Sequence, residues 1–80
     1  MEANIKVQVF AVLKEFYDEN FAVGDLQSID HLKAHLIALK PEALNILNKS
    51  RFAINNKFVN NNTKINYGDT IYVMPPSSGG

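Results

Sequence analysis

The sequence predicts an α+β domain in which a mixed β-sheet packs one face against one main helix. Between residues 5 and 9, apolar side chains alternate with polar ones, which is the period of a half-buried strand. Between residues 29 and 39, apolar residues recur at the spacing of one helix face. Further short runs rich in β-branched and aromatic residues, most of them bounded by Asn or Gly, lie on both sides of this helix.

Length and composition limit the classes of protein to consider. A chain of 80 residues has room for one core, and its 46% apolar residues make a packed fold attainable without disulfides or a structural metal. Eight Lys and Arg balance eight Asp and Glu, which argues against nucleic acid or an anionic membrane as a partner. Because there is no cysteine, a thiolate metal site is excluded and any sulfur chemistry needs sulfur from elsewhere.

The start of the sequence favours the cytoplasm. Residues 1–4 do not form a basic region followed by an apolar stretch, and no run approaches ~18 apolar residues. We therefore expect a cytoplasmic protein without a membrane partner.

The first half of the chain predicts a hairpin followed by the main helix. Residues 5–9 and 20–23 are the two strands, with a short helical turn at 11–16 and a closing turn at Gly24 and Asp25. Ser28 is placed to cap the helix with its hydroxyl. Pro41 ends this helix and suits the first position of a shorter one. The apolar stripes of the two helices are Ile29, Leu32, Leu36 and Leu39, then Ala43, Leu44 and Leu47.

The second half predicts three more strands and a tail. Residues 51–54 are followed by a tight turn at Asn55 and Asn56, a short strand at Phe58 and Val59, and turns at 60–62 and 67–69. A strand at 70–74 precedes residues 75–80, whose composition is different. The order of strands around a single helix matches a β-grasp domain at 1–74, with an extended, flexible tail at 75–80.

The tail has the composition of a group that is delivered to another protein. Pro75 and Pro76 favour a stiff, extended spacer. Six residues at no more than ~3.5 Å each can carry a terminal carboxylate roughly 20 Å from Met74. Gly79 and Gly80 have no side chains, so they can thread a slot too narrow for a Cβ. An inert Gly-Gly end, as a frayed terminus or a cloning remnant, is the alternative interpretation.

The carboxyl group of Gly80 is the predicted chemical group of the protein. A free carboxylate does not react with nucleophiles at neutral pH, so a partner enzyme must first use ATP to convert it to an acyl-adenylate. Attack by a persulfide sulfur would then leave a thiocarboxylate. No catalytic residue and no bound cofactor are expected in this chain.

Several segments together resemble the MoaD family, the small subunit of molybdopterin synthase, within the ubiquitin-like ThiS/MoaD superfamily. The resemblance covers about residues 4–80 and is most specific where Gly68-Asp69 is followed by a strand, Pro-Pro, two small residues and Gly-Gly. Lys14 stands where the family often has Arg, and Met74 where an aromatic residue is common. The matching segments are Ile5-Lys6-Val7, Phe10-Ala11, Ala53-Ile54-Asn55, Tyr67-Gly68-Asp69, Met74-Pro75-Pro76 and Gly79-Gly80.

This resemblance implies a sulfur carrier. A MoeB-like enzyme would adenylate Gly80, and sulfur would convert the adenylate to a thiocarboxylate. The tail would then enter a MoaE-like large subunit, which holds the active site, and sulfur would pass to precursor Z to build the dithiolene of molybdopterin. Two small and two large subunits form the assembly in this family. The residues expected to be recognised in the tail are Pro75, Pro76, Ser77, Ser78 and Gly79.

Strand alternation predicts a docking surface beside the tail. If Ile71 and Val73 face the core, then Tyr72 and Met74 face outward, and Phe58 joins them. Ordinary surface exposure is the alternative.

Other signals carry less. His31 and His35 lie four residues apart on the helix, but no pattern supplies a third metal ligand, so no metal site is expected. Ser77 and Ser78 have no activating base in sequence. Two further functions stay open: a thiamin thiazole carrier of the ThiS type, which is usually shorter and lacks the Pro-Pro approach, and a protein modifier or inert interaction module.

Overall fold

The computed structural model describes residues 5–24 and 26–76. Five strands form one mixed sheet, and two α-helices and two 3₁₀ turns complete the domain. The strands are β1 Ile5–Val9, β2 Asn20–Val23, β3 Arg51–Ile54, β4 Lys57–Val59 and β5 Thr70–Met74. The helices are α1 Ile29–Leu39 and α2 Leu44–Lys49, and the 3₁₀ turns are Ala11–Glu15 and Pro41–Ala43. The predicted α+β class and β-grasp order are confirmed.

The predictions about the end of the tail concern residues outside this description. Ser77, Ser78, Gly79 and Gly80 are not among the described residues, and neither is Asp25.

The last strand of the chain lies in the middle of the sheet. The strand order is β2-β1-β5-β3-β4, with β5 parallel to β1 and antiparallel to β3. β1 with β2, and β3 with β4, form antiparallel hairpins. Since a parallel pair needs a long crossover, the helices lie in the connection between the two hairpins. The chain therefore leaves the domain from the centre of the sheet.

One face of the sheet and the inner sides of the helices make the core. The buried sheet residues include Ile5, Val7, Val9, Phe52, Ile71 and Val73. They form one cluster with Leu13, Ile29, Leu32, Leu36, Ala43 and Leu47. Two residues of the predicted stripes differ, since Leu39 is 55% exposed and Leu44 is 43% exposed. Leu39 is the last residue of α1, and it lines a surface groove with Phe16 and Tyr17 instead of reaching the sheet.

The ends of α1 are fixed as the sequence indicates. The Ser28 hydroxyl accepts a hydrogen bond from the His31 N–H at 3.3 Å, and Pro41 opens the next 3₁₀ turn.

The Tyr17 hydroxyl donates to the Leu36 carbonyl at 2.6 Å, which fastens the loop after the first 3₁₀ turn to α1. Partial burial raises the pKa of Tyr17 above its usual value of 10.0, and the negative charge of Glu42 is a second, smaller cause in the same direction.

The tight turn predicted at Asn55 joins three strands. Asn55 has φ 56°, in the left-handed region that Asn tolerates better than most residues. Its N–H donates to the Thr70 carbonyl at 2.8 Å, and its side-chain Oδ1 accepts from the Thr70 N–H at 3.3 Å. The β3–β4 hairpin is thus bonded to the first residue of β5.

Asn55→Ala is expected to lower the free energy of unfolding by about 1–3 kcal/mol. The change removes the side-chain hydrogen bond from the Thr70 N–H, worth about 1 kcal/mol. It also places alanine, which has a Cβ but no polar side chain, at a positive φ that is unfavourable for it. Asn55→Gly should cost less because glycine tolerates that φ. Urea unfolding measures both, with exposed Asn56→Ala as the matched control, expected within about 0.5 kcal/mol of the unmodified chain. Equal stability of Asn55→Ala and the control would contradict the assigned role.

Candidate functional site

The sheet face that points away from the helices is the candidate site, and we call it the open face. β5 alternates as predicted: Ile71 and Val73 are fully buried, whereas Tyr72 and Met74 lie on the opposite side and are half-buried. The helices cover only the core side, so these two side chains are available to another molecule. The predicted outward direction of Tyr72 and Met74 is confirmed.

The strand register brings Phe58 to the same face. Tyr72 pairs with Ala53 across β5 and β3, and Ala53 pairs with Phe58 across β3 and β4. Directly paired residues point to the same side of a sheet. Ala53 has only a methyl group between the two rings, and the Phe58 side chain is 55% exposed. The three predicted docking residues therefore share one surface, while their role in docking stays a prediction.

Phe10 also lies on this surface, and the sequence analysis did not predict it as a docking residue. It follows the last residue of β1, and its N–H donates to the Val73 carbonyl at 3.2 Å. Its ring centroid lies 6.1 Å from that of Tyr72, with the rings tilted by 44°. The signal was present in the sequence, since Phe10 continues the outward positions of Lys6 and Gln8.

Arg51 is a second residue that sequence reasoning did not place in the site. It pairs with Met74, and its guanidinium carbon lies 4.4 Å from the centroid of the Phe58 ring. An Arg over an aromatic face at this distance is a cation–π contact. The contact itself lies within the β3–β4 hairpin, whereas the position of Arg51 beside Met74 depends on the pairing of β3 with β5, which the local sequence does not reveal.

The tail begins at the edge of the open face. β5 ends at Met74, Pro75 is half-buried and Pro76 is exposed. Because Arg51 pairs with Met74, the guanidinium and the start of the tail lie at the same end of the sheet. A molecule bound to the open face would therefore lie close to Pro75, where the tail begins.

The other surfaces offer less chemistry. His31 and His35 are both exposed on α1, and among residues 5–24 and 26–76 no three His, Cys, Asp or Glu side chains are grouped to hold a metal ion. Within the same ranges, no helix has the length and hydropathy to cross a membrane.

A five-stranded mixed sheet wrapped on one main helix defines the class of ubiquitin-like β-grasp proteins. The small archaeal modifier protein 1 of Haloferax volcanii has the same fold, with a TM-score of 0.78 at 16% identity over 95% of this chain and 100% of that one. A chain from the complex of subunits 1 and 2 of the molybdopterin-converting factor of Helicobacter pylori superposes with a TM-score of 0.68 at 27% identity, covering 95% and 97%.

Within that class the chain belongs to the ThiS family, whose sequence model matches residues 7–80. It is also 32% identical over 81 residues to the molybdopterin synthase sulfur carrier subunit of Chlamydomonas reinhardtii, covering 95% of this chain and 98% of that protein. These two findings confirm the resemblance to the MoaD family and the ThiS/MoaD superfamily that the sequence motifs indicated.

Two phenylalanines of the same hairpin separate stability from surface function. Phe52→Ala should cost about 3–5 kcal/mol of unfolding free energy because Phe52 is 2% exposed and lies in the core. Phe58→Ala should cost less than about 1 kcal/mol because most of that ring is already in water. Urea unfolding of both variants checks the difference. A loss for Phe58→Ala as large as that for Phe52→Ala would show that the open face is part of the folding core.

Proposed function

We propose that this chain is the sulfur carrier subunit of molybdopterin synthase and carries sulfur as a thiocarboxylate on Gly80. The observation that supports this most is the 32% identity to a molybdopterin synthase sulfur carrier subunit over nearly the full length of both chains. The fold agrees with this role, because its last strand ends at the edge of an exposed apolar face. The protein would act in the cytoplasm.

The proposed cycle uses the chain as an acyl group and its partners as catalysts. A MoeB-like enzyme transfers AMP from ATP to the Gly80 carboxylate, with release of pyrophosphate. A persulfide sulfur attacks the carbonyl carbon, AMP leaves, and cleavage of the sulfur–sulfur bond by a thiol leaves the thiocarboxylate. In the large subunit the thiocarboxylate sulfur bonds to precursor Z, water hydrolyses the bond between this sulfur and the Gly80 carbonyl carbon, and Gly80 returns to a carboxylate. Adenylation makes the carbonyl carbon of Gly80 reactive toward a sulfur nucleophile, whereas the free carboxylate does not react with one.

Docking and tail insertion would occur together. In this proposal the open face, made by Phe10, Phe58, Tyr72 and Met74, rests on the MoaE-like large subunit. The tail, starting at Pro75 beside that face, reaches the active site. The prolines keep the first part extended, and Ser77, Ser78 and Gly79 fit a narrow channel. A solved complex of subunits 1 and 2 from Helicobacter pylori contains a relative of this chain, which supports a two-protein assembly. Two small and two large subunits would form the complete enzyme.

Activation of Gly80 is tested by co-expression with a MoeB-like enzyme and measurement of the intact mass. We expect a mass gain equal to the exchange of one oxygen for sulfur. In a variant that lacks Gly80 we expect no gain, because the terminal carboxyl group is then one residue short of its position in the activating enzyme. Expression of the chain without the MoeB-like enzyme is the control. Adducts on lysines of other proteins would instead indicate a modifier, and an unchanged mass in both forms would contradict a carrier. Supplying precursor Z with the large subunit distinguishes this carrier from one for thiamin thiazole.

Met74→Glu is expected to weaken binding to the large subunit at least about tenfold, which corresponds to about 1.4 kcal/mol. The reason is that a carboxylate replaces an apolar side chain of the proposed contact, beside the start of the tail, and must lose water on docking. Isothermal titration calorimetry gives the affinity, and circular dichroism shows that the variant is folded. Ala38→Glu, which adds the same charge at an exposed position of α1, is the matched control and should bind normally. Unchanged affinity for Met74→Glu would remove the open face from the docking model.

A further inference from the structure

The described acidic residues all lie outside the sheet, whereas basic residues lie both on strands and elsewhere. None of the five strands contains Asp or Glu, whereas Lys6, Arg51 and Lys57 lie on strands. The described acidic residues all lie in helices, 3₁₀ turns or loops, and they are Glu15, Asp18, Glu19, Asp30, Glu42 and Asp69. A chain with eight charges of each sign therefore presents an open face whose strand charges are only positive.

Arg51 is the cation of this face that lies beside the tail. Lys6 pairs with Thr70 at the start of β5, whereas Arg51 pairs with Met74 at its end. The two positive charges are therefore about four residues, or roughly 13 Å, apart along the strand. Of these two residues, Arg51 is the one that lies beside Phe58, Met74 and the start of the tail.

The contact with Phe58 leaves Arg51 able to bind an anion. The guanidinium carbon lies over the Phe58 ring, 4.4 Å from its centroid. The N–H donors of a guanidinium lie around the edge of its plane, so contact with one ring does not use them. The side-chain hydrogen bonds found among residues 5–24 and 26–76 do not include Arg51. Arginine is also more weakly hydrated than lysine, so an apolar surface can cover it at lower cost. These properties suit a planar fork that meets a carboxylate in two parallel hydrogen bonds.

We propose that Arg51 is a specificity-determining residue of the open face, whose guanidinium, held over Phe58 beside the start of the tail, binds a carboxylate on the partner protein. The partner surface is then an apolar patch with an Asp or Glu opposite Arg51. The proposal rests on the proposed function, because it deepens the description of the same docking face. The ion pair sets the rotation of the carrier on its partner, and this rotation decides where the tail is directed.

The charge of Arg51 should appear in the rate and the salt dependence of association. Opposite charges across an interface accelerate encounter, and salt screens this effect. The test uses the cognate large subunit of molybdopterin synthase and surface plasmon resonance at 50 to 500 mM NaCl. Arg51→Leu should lower the association rate constant about tenfold at low salt and make it clearly less dependent on salt, since Lys6 is then the remaining charge of the open face. Arg51→Lys should keep the salt dependence but bind more weakly, since it has the charge without the planar fork.

Lys40→Leu provides the matched control. Lys40 is exposed at the C-terminal end of α1, so this change removes one positive charge from the helix layer and not from a strand. It should leave both the association rate and its salt dependence close to those of the unmodified chain. Urea unfolding confirms that each variant is folded, and Arg51→Gln replaces Arg51→Leu if the latter is not.

The outcomes separate this proposal from the proposed function. If the unmodified chain binds and Arg51→Leu binds with the same rate and salt dependence, the role of Arg51 is wrong while the carrier function stands. If Arg51→Leu binds more weakly but keeps the salt dependence, Arg51 acts only by packing and the carboxylate is overturned. If the unmodified chain does not bind the large subunit at all, both proposals fail. An Arg51→Leu variant that binds more slowly and with a reduced salt dependence, beside a Lys40→Leu variant that binds normally, supports the ion pair.

Discussion

The parallel pairing of β1 with β5 is the constraint on which the rest of the structure depends. It places Val7 opposite Ile71 and Val9 opposite Val73, so four apolar side chains enter the core side by side. Since side chains alternate along a strand, a slip of one residue would bury Tyr72 and Met74 and expose the core residues. The same register that builds the core therefore also decides which residues form the open face.

This pairing also decides where the tail leaves the domain. β5 is the last strand in sequence but the central strand in space, with neighbours bonded on both sides. A segment anchored in this way provides a firm base for the tail, because its backbone hydrogen bonds are inside the sheet. The described part of the molecule is thus a scaffold that keeps the open face and the start of the tail at a constant distance and orientation relative to each other. A carrier that must deliver its end group into another protein needs such an arrangement, because the face and the tail have to meet their sites at once.

The division of roles between scaffold and tail explains why the domain itself has so little chemistry. In the proposed cycle, ATP binding, adenylation and sulfur transfer belong to partners, and the chain contributes an acyl group and a surface that partners recognise. The distribution of charge adds to this surface, since the strands of a neutral chain contain basic residues and no acidic ones. A face of this composition favours an apolar partner surface with negative charge, which is a requirement for recognition and does not stabilise the fold.

The sequence by itself determined the elements, the fold class and the family. The period-two alternation at Ile5–Val9, the Ser28 cap, the break at Pro41 and the turn at Asn55 each depend on neighbours within a few residues, so local physics is enough to predict them. Only the tertiary structure decided the position of Arg51 beside the start of the tail, the meeting of Phe10 with Tyr72, and the exposure of Leu39 at the end of the apolar stripe. The first two depend on the pairing of β5 with strands that are far from it in sequence, and the third depends on where α1 ends relative to the sheet. Neither quantity is encoded by the spacing of nearby residues.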